Sequence, residues 1–329
     1  MKFQAIIPAA GVGKRLRPLT HTLPKSLVPV AGKPIIVHII DELVSIGIED
    51  IVLILGYFGE KIEEYLKQHY PQIKFTFVYQ RERKGSAHAV LLTESAIKHP
   101  VMIIYGDTII EGDLRNGIKK GKDLLLGTKF VDDPRRFGIV ERENGKIVGL
   151  VEKPNILERR EALVGVYTVF NTKKLFESIK YIIKNNITLN GEFYLTHALD
   201  HMIKSGASAE TFPIENWYDC GTVESLLETN KILLDKKRRF KENVIVDDNI
   251  IIPPVAIGKN TKLKNCIIGP YVSIGSDANL EGAIIQNSII SDKAKVKNLI
   301  LKDSVIGNEA ECEGKTTNLI LGDNSYLGY

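Results

Sequence analysis

The sequence predicts an α/β fold in two parts: a Rossmann-like, mainly parallel sheet with helices on its faces, followed by a parallel β-helix. Two observations carry this prediction. Over the first hundred or so residues, short apolar runs alternate with segments of helical periodicity, which is the pattern of βαβ units and a buried parallel sheet. From about residue 244 apolar residues return every five or six positions, and an amphipathic helix would need spacings of three and four. The expected division is therefore 1–240 for the sheet domain and 241–329 for the β-helix.

Taken in order, "FQAIIPA" reads as a buried strand, and "KPIIVHIIDELVSIG" as a helix stopped by Gly47. "DIVLILG" is a strand, "EKIEEYLKQHY" a charged helix, "KFTFVYQ" a strand, "SAHAVLLTESAIKH" a helix and "PVMIIYGD" a strand. Crossovers between such strands are right-handed. Ligands of such sheets bind beyond the carboxyl ends of the strands, where the opening turn and Gly106-Asp107 both fall. After about residue 128, "RRFGIVERENGKIVGLVEKP" reads as a hairpin-rich insertion turning at "ENGK". "ALVGVYTVF" is a further strand, "FYLTHALDHMIKSG" a helix with a glycine stop, and "VESLLETNKILLDKKRRFKE" a long charged helix leading out of the domain. The basic run at 236–239 reads as a solvated helix face, and His88 and His197 as packed or capping groups within helices.

The repeat runs through Ile257, Leu263, Ile268, Ile274, Leu280, Ile285, Ile290, Val296, Leu301, Ile306 and Cys312, with a mostly small residue two positions before each. Glycine follows at 258, 269, 275 and 307. A large apolar residue pointing inward on so short a period, with turn residues between, is the signature of a β-solenoid. It resembles left-handed β-helices built on hexapeptide repeats; the five-residue spacings imply some tighter corners.

Composition narrows the function. A net charge of +4 over 329 residues gives no support for nucleic acid as a partner, and no run approaches the roughly 20 apolar residues of a membrane span. Three scattered cysteines, Cys220, Cys266 and Cys312, fit reduced thiols in a cytoplasmic protein rather than a disulfide framework or a metal site.

The chemistry is concentrated in "AIIPAAGVGKRLRPLTHTLPKSLVPV", residues 5–30. Gly11 and Gly13 allow a sharp turn that exposes backbone N–H groups, a setting for an anion. Arg15 offers a bidentate guanidinium and Lys25 a point charge, while Pro18 and Pro24 keep the segment a loop. Phosphate is the natural ligand. A Walker P-loop is excluded because Arg15 follows Lys14 and Pro8 replaces its first glycine; the dinucleotide fingerprint is excluded because Leu16 stands where its third glycine is needed.

The string "AAGVGKRLRPLT…PKSLVPVAGKP" resembles the signature of the sugar-1-phosphate nucleotidyltransferases, and later motifs follow in that family's order over roughly residues 1–230. Pro8 and Lys14 depart from the commoner residues of that signature. The resemblance implies that Ala10, Gly11 and Gly13 hold the triphosphate, that Gln80 and Gly85 of "YQRERKGSA" hold the nucleobase with Ser86 also at the nucleotide, and that Arg15 and Lys25 are catalytic. It assigns Gly138, Glu152, Lys153, Tyr167 and Trp217 to the sugar phosphate; either aromatic would serve equally as core. It assigns Asp107 of "IIYGDT" and Asp219 of "NWYDCGT" to Mg²⁺, an ion that prefers oxygen ligands. Taken singly, an Asp after Gly is a turn residue and "EKP" a salt-bridged hairpin end.

The implied reaction is attack of a sugar 1-phosphate on the α-phosphorus of a nucleoside triphosphate, releasing pyrophosphate. Gln80 with "KGSAHAV" looks most like thymidylyltransferases acting on glucose 1-phosphate, next like uridylyltransferases acting on glucose 1-phosphate or an amino-sugar phosphate, and then like guanylyltransferases acting on mannose 1-phosphate. A non-catalytic nucleotide-sugar sensor is a reading of a different class, against which stand the intact Arg15, Lys25, Asp107 and Asp219. Some relatives carry an acyltransferase on the β-helix, but this chain has no histidine after His201. The expected role of the helix is structural, with self-association into a homo-oligomer.

Overall fold

A computed structural model describes residues 2–119, 121–156, 158, 160–236 and 244–314. By their contacts the residues fall into two compact units, 1–28 with 33–226, and 29–32 with 227 onward. The chain opens with β1 (Gln4–Ala9), the two-residue strands β2 (Pro29–Val30) and β3 (Lys33–Pro34), α1 (Ile35–Ser45), β4 (Asp50–Leu55), α2 (Gly59–His69), β5 (Lys74–Tyr79), α3 (Ser86–Leu91), β6 (Val101–Ile104) and β7 (Thr108–Glu111). It continues with β8 (Leu124–Val131), β9 (Gly138–Glu143), β10 (Lys146–Glu152), β11 (Arg160–Val169), α4 (Thr172–Lys184), α5 (Leu195–Lys204), β12 (Ala209–Pro213), β13 (Asn216–Asp219) and α6 (Val223–Lys236).

The first unit is built on one mixed sheet in the order β10-β9-β11-β6-β1-β4-β5, with β8 pairing β11 and β12. β6, β1, β4 and β5 run parallel, as their alternation with helices predicts, and β11 enters antiparallel beside β6. β4 is buried at all its positions, the state of a strand covered on both faces. The parallel strands all point their carboxyl ends to one edge, so the loops after β1, β5 and β6 gather there. The predicted turn at "ENGK" is a tight hairpin, with Asn144 and Gly145 both at positive φ. Gly47 and Gly206 end α1 and α5 in the left-handed conformation that glycine tolerates best.

Two segments differ from expectation. The helix expected over 86–99 ends at Leu91, and a single 3₁₀ turn, Glu94–Ala96, follows. α4 fills 172–184, where no element was predicted, and buries Leu175, Phe176, Ile179 and Ile182.

The second unit contains three sheets of parallel strands stacked rung on rung, the first preceded by Val244–Val246 pairing antiparallel with Asn249–Ile251, consistent with a left-handed β-helix. One sheet holds Asn249–Ile251, Ile267–Ile268, Ile284–Gln286 and Ile300–Lys302; the second begins at Val255–Ile257 and the third at Lys262–Lys264. Ile250 pairs with Ile267, Ile267 with Ile284 and Ile284 with Ile300, so a coil takes 17 residues, then 17, then 16. Three strict hexads would take 18, and the five-residue spacings account for the shortfall. Both residue sets of the repeat point inward: Ile268, Ile274, Leu280, Ile285, Ile290 and Val296 pack with Cys266, Val272, Ala278, Ala283 and Ala294. Ile257 does not; it is 45% exposed on the first strand of its sheet. Many corners are carried by polar residues at positive φ, Asn260, Asn265, Asp277, Asn287, Asn298 and Asp303 among them, where Asn and Asp are the least strained side chains. The glycines serve the stacking: a Cβ on Gly275 would lie 2.5 Å from the Asp292 backbone nitrogen of the next coil. Of the basic run at 236–239 only Lys236 is described; the rest, with the end of the predicted long helix and the 240/241 boundary, lies outside the described residues.

Candidate active site

The opening loop leaves β1 at Ala9 and folds as three 3₁₀ turns, Lys14–Leu16, Leu19–His21 and Lys25–Leu27. Leu16, fully buried, anchors it. Gly13 sits at φ 67°, and a Cβ there would lie 3.0 Å from both the Lys25 Cβ and the Thr20 methyl. The Thr20 hydroxyl donates to the Gly13 carbonyl at 2.8 Å. Glycine thus lets the loop fold back against Lys25. Around Gly11 there is open space, with nothing within 4 Å of a Cβ built on it. That leaves the backbone there facing open space rather than packed chain.

β6 delivers the first carboxylate. Gly106 crosses so close to β1 that a Cβ would lie 2.9 Å from the Pro8 carbonyl, and Asp107 follows. The second arrives by strand pairing. β13 runs antiparallel to β7 with Asp219 opposite Thr108, so Asp219 is set beside Asp107 although they are 112 positions apart in sequence. Between them stands Lys25, its side chain 8% exposed, with Nζ 2.9 Å from Asp107 Oδ2 and 3.9 Å from Asp219 Oδ1. Arg136 approaches Asp219 Oδ2 at 3.6 Å.

Two cavities meet at this cluster. One, of about 440 Å³, is lined by Ala10, Gly11, Gly13, Lys25, Gln80 and Gly85. The other, of about 330 Å³, is lined by Gly138, Glu152, Tyr167, Trp217, Asp219 and Arg136. Arg15, Ser86, Tyr105, Asp107 and Glu192 line both. The residues expected at the nucleotide and those expected at the sugar, Lys153 apart, therefore sort into two adjoining hollows with a cation and two carboxylates on the seam.

In the first hollow, Gln80 directly follows β5 and donates from Nε2 to the Gly85 carbonyl at 3.2 Å. Gly85 has a second duty: at φ 102° it passes the Phe193 backbone so closely that a Cβ would lie 2.4 Å from that carbonyl oxygen. The Ser86 hydroxyl accepts from the Leu195 amide at 2.9 Å, which ties α3 to the start of α5.

In the second hollow, Glu152 ends β10 and accepts from the Thr196 hydroxyl at 2.6 Å. Gly138 makes room for it, since a Cβ there would lie 3.1 Å from Glu152 Oε2. Tyr167 is 3% exposed and meets Tyr105 edge to face, and burial pushes both phenol pKa values up, so both hydroxyls keep their protons. Trp217 lies edge to face with Phe137 at 4.6 Å between ring centroids. Lys153 is not among the lining residues. At φ 48°, just past the strand, it turns its ammonium onto Tyr194, 2.6 Å from the hydroxyl and 4.2 Å from the ring centroid.

Sequence reading did not single out Arg136, Glu192, Tyr194 and Thr196. Arg136 had a signal as the second residue of the "RRFG" run; Glu192 and Tyr194 come from "GEFY", just before α5, with no local pattern to mark them.

Comparison with known proteins gives the family. The Nucleotidyl transferase family matches residues 4–236. A bifunctional protein GlmU of Methanocaldococcus jannaschii is 34% identical, covering 97% of this chain and 81% of its own. A glucose-1-phosphate thymidylyltransferase of Streptomyces antibioticus is 29% identical over 98% of both chains. Among solved structures, a UDP-glucose pyrophosphorylase complexed with UDP-glucose superposes with a TM-score of 0.62 at 27% identity, over 72% of this chain and 100% of its own. The chain therefore belongs to the nucleotidyl transferase family and is a sugar-1-phosphate nucleotidyltransferase.

Proposed function

We propose that the substrates are dTTP and glucose 1-phosphate, joined to give dTDP-glucose and pyrophosphate. The observation that carries the reading is the seam: Arg15 and Asp107 line both hollows, so two phosphorylated substrates, one in each, bring their phosphates to the same place. Similarity to a thymidylyltransferase along nearly the whole chain supports the choice of nucleotide. Uridylyl transfer is the second reading, favoured by the likeness to the UDP-glucose complex.

The nucleophile, a sugar phosphate oxygen, is already an anion. The task is to bring two polyanions into line and neutralise them, and positioning with fixed charge carries it. Arg15 is assigned to the triphosphate and the departing pyrophosphate, where a planar guanidinium binds two oxygens at once. Lys25 is assigned to the bridging of phosphates from its place between the two carboxylates. Glu152 accepts from sugar hydroxyls. Lys153, which meets the Tyr194 hydroxyl and no carboxylate among the described residues, is assigned to the sugar phosphate. Asp107 and Asp219 suit Mg²⁺: two adjacent carboxylates, already gathered about one cation, are an all-oxygen donor set. When bound, Mg²⁺ supplies further neutralisation of phosphate charge. We assign the β-helix to self-association and the protein to the cytoplasm.

Pyrophosphate release measured across a matrix of nucleoside triphosphates and sugar 1-phosphates, with and without Mg²⁺, tests this. The expected outcome is metal-dependent turnover, highest with dTTP and glucose 1-phosphate. Highest turnover with UTP establishes the second reading, and turnover unaffected by chelation removes the metal assignment.

A further inference from the structure

Gln80 lines the first hollow, 8% exposed, and its amide nitrogen is held from two sides. Nε2 donates to the Gly85 carbonyl at 3.2 Å and meets His88 Nδ1, on α3, at 3.3 Å. A carbonyl oxygen only accepts, so the nitrogen end of the amide must face Gly85. Nδ1 then also accepts, which fixes the His88 proton on Nε2 and the ring in its neutral form. Burial, followed by the Lys84 charge, lowers the His88 pKa against the opposing pull of Glu82, in keeping with a neutral ring. The Gly85 acceptor is itself held, because the chain on either side is stapled to Phe193: Phe193 N–H donates to Lys84 O at 2.8 Å and Ala87 N–H to Phe193 O at 2.9 Å.

An amide NH₂ has two protons, and both are taken. Gln80 Oε1 accepts from no described residue and is not among the buried oxygens lacking a partner. What the side chain offers the hollow is therefore an acceptor.

We propose that His88 is a positioning residue that sets nucleobase specificity: by holding the Gln80 amide nitrogen turned away, it presents Oε1 to the base and selects the imide N3–H of thymine or uracil over cytosine, whose N3 is itself an acceptor. The inference rests on the nucleotide reading of this hollow. It concerns which base is chosen, and His88 touches neither base nor phosphate in it. A buried acceptor facing an acceptor leaves two polar groups unpaired, which is how sites built on hydrogen bonds discriminate most strongly.

The test compares dTTP, UTP and CTP, each with glucose 1-phosphate, in the wild type, His88→Leu and His88→Asn. Asn places its side-chain oxygen where Nδ1 stands and keeps the acceptor; Leu removes it. The expected result is that the ratio of kcat/KM for dTTP over CTP falls about tenfold or more in His88→Leu, roughly the worth of one good hydrogen bond. His88→Asn keeps the wild-type ratio within about threefold, and kcat at saturating dTTP stays close to wild type in both. A ratio unchanged in His88→Leu overturns the proposal, as does an equal fall in both variants, which would mark His88 as packing alone. Equilibrium binding of dTTP and CTP to the same three proteins separates the two levels of inference. If the wild type turns over no nucleotide yet binds dTTP above CTP in a His88-dependent way, the functional reading fails and the positioning role stands. If it binds neither, both fail.

Discussion

Gly221 follows the Asp219-Cys220 pair and tests whether the cluster works by placement. It is buried and not at positive φ, so alanine is allowed by the backbone. A Cβ there would lie 2.7 Å from Arg15 Nη2, 2.8 Å from Asp219 Oδ1 and 3.1 Å from Asp219 Oδ2. Ordinary contact requires about 3.5 Å, so the guanidinium and the carboxylate must each withdraw by about 0.7 Å. Both are the free ends of side chains, and pushing each off its rotamer costs about 0.5–1.5 kcal/mol, little enough for the fold to survive. Catalysis is less tolerant: a displacement near 1 Å at the reacting groups costs about 10² in rate. Gly221→Ala is therefore expected to lower kcat by about 10- to 100-fold in a pyrophosphate-release assay, while its melting temperature drops by only a few degrees. A variant with activity within threefold of wild type would show that Arg15 and Asp219 need not hold these positions.

Other perturbations separate function from fold. Lys25→Ala removes the cation between Asp107 and Asp219 and is expected to cost about 10³ in turnover with the far-UV circular dichroism unchanged; an active variant refutes the role given to Lys25. Gly85→Ala puts a side chain at φ 102° against the Phe193 backbone and should destabilise the first unit by about 3 kcal/mol or more, seen as a lower melting temperature; wild-type stability would contradict that close approach. In the β-helix, Ile285→Ala empties a fully buried site and should cost about 2–5 kcal/mol in denaturant unfolding, whereas Ile257→Ala, at a 45% exposed position, should cost far less; equal costs would refute the inward assignment.

What the sequence made legible was local. The opening loop carries its glycines, cations and prolines within thirty residues, and its distance from any pattern but one made it readable. The β-helix was legible because its period repeats many times. The site's second half was not, since its residues meet through pairings that no window contains. Asp219 reaches Asp107 only because β13 lies antiparallel on β7, and nothing in "NWYDCGT" alone states that register. Glu192, Tyr194 and Thr196 come to the sugar-side hollow with α5, whose own sequence shows only an amphipathic helix. Helix length was misjudged at α3 because apolar spacing continues past Leu91 while the chain has already turned. Lys153 does not line the hollow it was expected in: the strand ends one residue earlier, and at positive φ its side chain meets Tyr194.

The most direct measurement is a crystal structure of the enzyme with dTDP-glucose and Mg²⁺. The account predicts thymine against Gln80, the sugar hydroxyls against Glu152, and the diphosphate on the seam within hydrogen-bonding reach of Arg15 or Lys25. A sugar nucleotide bound with its diphosphate beyond the reach of both cations, or with its base and sugar in the opposite hollows, would contradict it.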